Sequence, residues 1–139
     1  GVLMLDIDHF KLVNDTYGHD IGDDVIRILS QTLKGKTRNS DICIRYGGEE
    51  FVILLYNCDM NYISQIAQNI RHGFMDKKIE TGNKIIQKTI SVGTAIFPTN
   101  HEDLLKCIKY ADLALYEAKD SGRNKVIPYS EALLKNESS

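Results

Sequence analysis

Arg45–Tyr46–Gly47–Gly48–Glu49–Glu50–Phe51 is the stretch whose reading decides the fold. Apolar runs flank it, Ile42–Cys43–Ile44 before and Val52–Ile53–Leu54–Leu55 after. Paired glycines between two apolar runs read as a tight β-hairpin, because glycine reaches positive φ without steric cost. The unusual feature is the pair Glu49–Glu50 at the mouth of an apolar strand. Successive strand residues point to opposite faces, so the two glutamates aim in different directions. Taken alone, they read as solvated acids at a hairpin tip.

Upstream of the hairpin, Val2–Ile7 is a short apolar run and reads as a buried strand. It ends in Asp6–Ile7–Asp8, acids where burial should still be strong. His9–Asp15 reads as a short helix with Asp8 as its N-cap, and Thr16–Asp23 as a turn-rich connection. Val25, Ile28, Leu29 and Leu33 share one face of a second helix, which Gly35 is expected to stop. Residues 36–41 form a polar link into the hairpin, which runs to about Tyr56. Downstream, Asn61 opens a helix with Ile63, Ile66, Ala67, Ile70 and Phe74 on its apolar face. Residues 76–84 read as a solvated turn, and Ile85–Phe97 as one long strand ended by Pro98. Thr99 and Glu102 have capping-box spacing ahead of a helix striped by Leu104, Ile108, Ala111, Leu115 and Ala118. Gly122 closes that helix, Lys125–Tyr129 is a last strand, and Glu131–Ser139 reads as a frayed helical tail. The order β-α-α-β-β-α-β-α-β predicts an α+β layer fold, helices on a mainly antiparallel sheet.

A chain of 139 residues fits one domain, residues 1–139, with no internal repeat or interdomain linker. Its net charge of −2 gives no electrostatic footprint for nucleic acid or an anionic membrane. Cys43, Cys58 and Cys107 are odd in number and form no CxxC pair, so they read as reduced cysteines of a cytoplasmic domain. No apolar run has membrane-spanning length, so the domain itself is expected to make no membrane contact. The chain starts inside a strand, which reads as a piece of a longer protein whose preceding region could carry an anchor.

The two acid clusters meet if the first strand neighbours the hairpin in the sheet. That places Asp6 or Asp8 beside Glu49 or Glu50. Carboxylates gathered at strand ends repel unless a cation lies between them, and Mg²⁺ suits one or two carboxylates plus phosphate oxygens. The turn from Asp8 into Lys11 suits a phosphate, since amides at a helix start point at an anion and Lys11 adds a charge; taken on its own, Lys11 reads more readily as a surface lysine. Lys119 and Arg123, four apart at a helix end, read equally as a phosphate grip or as complements to the helix C-terminus. There is no GxxxxGK[ST] loop, no GxGxxG after a strand and no GxSxG elbow.

Taken together, Asp6–Lys11, Asn14–Asp15, Gly18–Asp23 and Arg45–Phe51 resemble the GGDEF family of diguanylate cyclases, here with the variant GGEEF. Ser91–Val92–Gly93, Ala111–Asp112, Tyr116, Ala118–Lys119 and Gly122–Arg123–Asn124 continue the match over nearly the whole chain. The resemblance implies a palm-like fold that condenses two GTP into cyclic di-GMP and releases two pyrophosphates. It implies Mg²⁺, with Mn²⁺ as an alternative ion, held by Asp6, Glu49 and the Ile7 carbonyl. It implies Glu49 as proton acceptor, Glu50 as its assistant and Lys11 as a transition-state cation. Asn14 and Asp23 would read guanine, with His19 and Phe10 beside that pocket, and Lys119 and Arg123 would grip terminal phosphates. Turnover would need a homodimer. Arg38 and Asp41 form an RxxD with five residues between Asp41 and Gly47, as in the family's inhibitory product site. Asn69 stands where a further arginine often completes that site, with Arg71 nearby. The helix and Asp-x-Leu-Thr turn that precede the first strand in the family are not in this sequence. A non-catalytic module holding GTP or cyclic di-GMP is the alternative, and a structural dimerisation domain ranks below both, since it needs no acids at strand ends.

Overall fold

An unbroken apolar strand needs cover on both faces. The computed structural model describes the backbone of residues 1–138 and the side chains of residues 1–134; Ser139 of the expected tail lies outside the described residues. In chain order the elements are β1 (Val2–Ile7), α1 (Phe10–Tyr17), α2 (His19–Lys36), β2 (Ile42–Arg45), β3 (Glu50–Leu54) and α3 (Met60–Met75). Then come β4 (Ile79–Thr81), β5 (Lys84–Ile86), β6 (Ile90–Ala95), α4 (Leu104–Asp120), β7 (Val126–Pro128) and α5 (Glu131–Ser138). The main sheet runs β2-β3-β1-β6-β7, so the apolar β1 is its central strand and every β1 residue is buried. All pairs in that sheet are antiparallel except β6 with β7. The α+β fold with a mainly antiparallel sheet is therefore as expected.

Alternation along β1 splits the core in two. Leu3, Leu5 and Ile7 join Phe51, Ile53, Ile90 and Val92 in a core shared with Val13, Leu29, Ile63, Ile70 and Phe74 of α1, α2 and α3. Val2 and Met4 join Val52 and Ala95 beneath Cys107, Ala111 and Leu115 of α4. α4 lies very close to the sheet. A Cβ added to Gly93 would stand 2.1 Å from the Ala111 carbonyl oxygen and 2.2 Å from the Leu115 nitrogen. The small residues Ala111, Ala114 and Ala118 on the buried stripe of α4 permit that approach.

Several local expectations are corrected. Asp8 does not cap α1; His9 occupies the cap with φ 56°, and no side chain caps that end. α2 runs past Gly35 to Lys36, because nothing at Gly35 demands a left-handed turn. α3 starts at Met60, one residue before Asn61, because Asp59 accepts a hydrogen bond from the Tyr62 amide. Residues 79–86 are not only a turn: β4 and β5 pair into a small hairpin around Gly82, at φ 63°. The expected long strand is thereby split, and only Ile90–Ala95 joins the main sheet. α4 is capped by Asp103, which accepts from Leu105, instead of by Thr99. Gly47 and Gly48 are absent from the positive-φ residues, so the hairpin tip does not use the conformation that suggested it.

Candidate functional site

The sheet brings the acid clusters together at one end. Asp6 is paired with Glu50 on β3 and with Ser91 on β6, and the Ile7 amide donates to the Glu49 carbonyl at 3.4 Å. The hairpin tip between β2 and β3 is held by Tyr46 and Gly47 amides donating to the Glu50 carbonyl, at 2.8 and 3.3 Å. Arg45 closes it from below, donating to the Gly48 and Gly47 carbonyls at 2.6 and 3.3 Å. The sequence reading gave Arg45 no such role; its place two residues before the glycine pair was the available signal. A Cβ on Gly48 would meet nothing within 4 Å, so the bare backbone at the tip faces open space.

Asp6, Ile7, Asp8, His9, Phe10, Lys11, Glu49, Lys119 and Arg123 line one cleft of about 160 Å³. Carboxylates and cations thus surround a single space, brought there by β1 and the link after it, α1, the hairpin tip, α4 and the loop that follows α4. Asp6 is 3% exposed, and its Oδ1 has no hydrogen-bond partner. Its Oδ2 accepts from the Lys119 ammonium, the ion pair linking α4 to the central strand. Burial pushes the Asp6 carboxyl up to about 6, against the hydrogen bond and charge of Lys119; Glu49 and Glu50 push it the same way as burial. Among the described residues no cluster of three or more His, Cys, Asp or Glu side chains could hold a metal. A hard cation that keeps waters and phosphate oxygens needs fewer. The buried, unpartnered Asp6 oxygen beside Glu49 fits that kind of ion.

Asp8 does different work. Its carboxylate accepts from Thr89 Oγ1 and Ser91 Oγ, both at 2.6 Å, and from the Asn124 amide at 3.0 Å. Lys119 and Arg123 do not share a helical face, because α4 ends at Asp120 and Arg123 lies beyond it at φ 64°. They still reach the same cleft. Asn14, His19 and Asp23 lie apart from this lining, along α1 and α2. Asn14 rests on Gly22, where an added Cβ would fall 1.9 Å from its Oδ1 and 3.2 Å from Phe10 Cζ. Phe10 and Asn14 are one turn apart on α1, so one face of α1 leads from the cleft toward exposed Asp23 and His19.

Arg38 and Asp41 sit at the opposite end of β2 and β3. Arg38 Nη2 and Nε donate to Asp41 at 3.1 and 3.3 Å, Nη2 also donates to the Tyr56 carbonyl at 2.5 Å, and the guanidinium lies 4.7 Å from the Tyr62 ring centroid. Asp41 also accepts from the Arg38 and Tyr56 amides, at 2.8 and 3.1 Å. Burial pushes the Asp41 carboxyl up, but these bonds together outweigh it and hold the group below its usual value. Arg38, Asn57, Cys58, Asp59 and Tyr62 line a second, open cleft of about 510 Å³. Arg71 faces elsewhere, donating to Asn124 Oδ1 at 2.9 Å.

The chain matches the family described as diguanylate cyclase, GGDEF domain, over residues 1–125. Diguanylate cyclase A of Treponema denticola is 42% identical over 126 residues, covering 91% of this chain and 34% of that protein. The chain spans about a third of the length of the curated relatives it matches. The GGDEF domain of DgcB from Caulobacter crescentus, solved in complex with cyclic di-GMP, is similar at TM-score 0.85 and 32% identity, covering 91% of this chain and 75% of that one. The active GGEEF domain of a diguanylate cyclase from Vibrio cholerae gives TM-score 0.83 and 33% identity, covering 93% of this chain and 81% of that one. Sequence, sheet and the Gly47–Phe51 motif agree, and the chain belongs to the GGDEF-domain family of diguanylate cyclases.

Proposed function

We propose that this chain is the catalytic domain of a diguanylate cyclase, joining two GTP into cyclic di-GMP with release of two pyrophosphates. The observation that carries the reading is the cleft where buried Asp6, with an unpartnered oxygen, meets Glu49, Lys11, Lys119 and Arg123. Asp6, Glu49 and the Ile7 carbonyl would hold Mg²⁺ or Mn²⁺. When bound, that ion supplies a Lewis acid for charge growing on phosphoryl oxygens. Lys119 and Arg123 bind the terminal phosphates, and Lys11 faces the charge that develops in the transition state. Glu49 accepts the proton of a 3′-hydroxyl as its oxygen bonds to the α-phosphorus of the other GTP. The bond from that phosphorus to the β-phosphate oxygen breaks, and pyrophosphate leaves. Glu50, paired across from Asp6, supports the metal side of the site. Phe10, Asn14, His19 and Asp23 form the guanine side, where a carboxylate accepts from guanine N1–H and the 2-amino group but meets an acceptor on adenine.

Each subunit holds one GTP, so the reaction needs two copies with facing sites. Incubating the full-length protein with GTP and Mg²⁺ should yield cyclic di-GMP and pyrophosphate by chromatography, with ATP a poor substrate. Glu49→Gln keeps the side-chain shape and should lower turnover by about 100-fold or more, on the scale of losing a proton acceptor. Parent-rate turnover in that variant would remove Glu49 from both roles.

The cleft beside Arg38 is the proposed product site. Arg38 offers a planar donor fork to a guanine edge or phosphate. Asp41, whose side chain is fully covered, holds Arg38 in place through the two bonds between them.

A further inference from the structure

We propose that Asp8, Asn124 and Arg71 form a latch that positions Arg123 for the terminal phosphates of the nucleotide; this rests on the reading of the cleft as a nucleotide site. The loop after α4 has three consecutive residues at positive φ: Gly122 at 119°, Arg123 at 64° and Asn124 at 47°. Only the first is glycine. A left-handed backbone is unfavourable for a long side chain such as Arg123, is tolerated better by Asn124, and persists where surrounding contacts over-determine it.

Those contacts converge on Asn124. Its amide donates to Asp8 Oδ2 at 3.0 Å, and its Oδ1 accepts from Arg71 Nη1 at 2.9 Å. The Arg123 amide donates to the Ala118 carbonyl at 2.9 Å, fixing the loop to the end of α4. Asp8 is 4% exposed, and both its oxygens are committed, one to Ser91 and the other to Thr89 and Asn124. One buried acid thus ties β1, β6 and the loop together through three hydrogen bonds. Arg71 arrives from α3, its fork further braced by Gln68 at 2.9 Å and the His72 ring at 3.0 Å.

The consequence falls on Arg123. Its backbone is held on both sides, yet among the described residues its guanidinium makes no hydrogen bond or ion pair, and it lines the cleft. The latch thus spends its contacts on a donor left open for a ligand. Asp8, Asn124 and Arg71 are positioning residues that act through Arg123.

The test is a mutant cycle on binding, in Mg²⁺, of a GTP analogue with a methylene α,β bridge and of GMP, which lacks the terminal phosphates. Asn124→Gly keeps the left-handed backbone and removes the side chain. Arg71→Met keeps an apolar stem and removes the fork. Each should weaken the triphosphate by about tenfold and GMP by less than about twofold; on an Arg123→Ala background the same changes should cost less than about twofold. Equal losses for GMP, or an undiminished loss on the Arg123→Ala background, would show a network that only stabilises the fold. Such a result, with parent-protein binding intact, removes the latch alone. A parent protein that binds neither nucleotide overturns the nucleotide reading of the cleft, and the latch with it.

Discussion

Asp6 is a carboxylate placed where its charge is costly. Its folded value is raised from 3.8 to about 6, first by burial and then by Glu49 and Glu50, with Lys119 only partly compensating. A raised folded value means the neutral acid favours folding: that contribution is complete below about pH 4 and is lost as pH rises through about 6. Metal-free protein should therefore lose stability between pH 4 and pH 6 through this residue. Asp6→Asn should flatten that part of the profile and be more stable than the parent at pH 7 in EDTA, read by urea midpoints. Mg²⁺ should raise the parent's midpoint at pH 7 and leave Asp6→Asn unchanged. A parent profile that matches the variant in both conditions would place no unmet charge at Asp6. The importance of this residue was legible because an acid interrupts an apolar strand. The role of Asp8 was not: its partners Thr89, Ser91 and Asn124 are 81 to 116 residues away, beyond any local pattern.

At the scale of elements, the position of α4 decides whether Lys119 meets Asp6. Lys119 is one turn beyond Leu115, whose backbone crosses Gly93 on β6 at a distance that leaves no room for a methyl group. Gly93→Ala forces the helix off the sheet. Overpacking of this kind costs typically ~1–3 kcal/mol, and the obstacle here is backbone, so the loss should lie at or above the top of that range. Nucleotide affinity should fall as well, because Lys119 moves with the helix. Chemical denaturation and calorimetry check the two effects; an unshifted midpoint would mean that α4 relaxes away freely. The stripe Leu104–Ala118 was legible as a helix from its spacing, and the two apolar runs as hairpin strands. The closeness was not, because a glycine within a strand reads equally as a bulge, a bend or a close approach. The Gly47–Gly48 pair led to the right hairpin for a reason the backbone does not use, since neither has positive φ. The β4–β5 pairing was hidden by the charged residues around Gly82, which look like solvent-exposed turn chemistry. The caps of α3 and α4 fall on Asp59 and Asp103, ordinary capping acids passed over for nearby residues that fit a pattern equally well.

Across the whole molecule, the proposed product site and the cleft sit at opposite ends of the same two strands. Arg38, Asp41 and Tyr56 gather where β2 begins and β3 ends; Glu49 and Glu50 stand at the hairpin tip. Strands of this length extend roughly 15 Å at ~3.3 Å per residue. A ligand beside Arg38 is then too far away to block its own subunit's cleft directly. Inhibition from the proposed site would have to act by holding two copies so that their sites cannot face, or by restraining the hairpin through β2. Arg38 and Asp41 therefore differ under substitution. Arg38→Ala removes a donor whose side chain is 42% exposed, and should raise the cyclic di-GMP concentration needed for half inhibition by about tenfold or more, with the initial rate within about twofold. Asp41→Ala instead strips a covered acceptor from the Arg38 and Tyr56 amides, and should lower stability by roughly 1–3 kcal/mol as well as weaken inhibition. Inhibition curves and urea melts of the two full-length variants separate these outcomes. Equal inhibition of the parent and Arg38→Ala would take Arg38 out of the regulatory site and leave the Arg38–Asp41 pair as a structural tie between α2 and the end of β3.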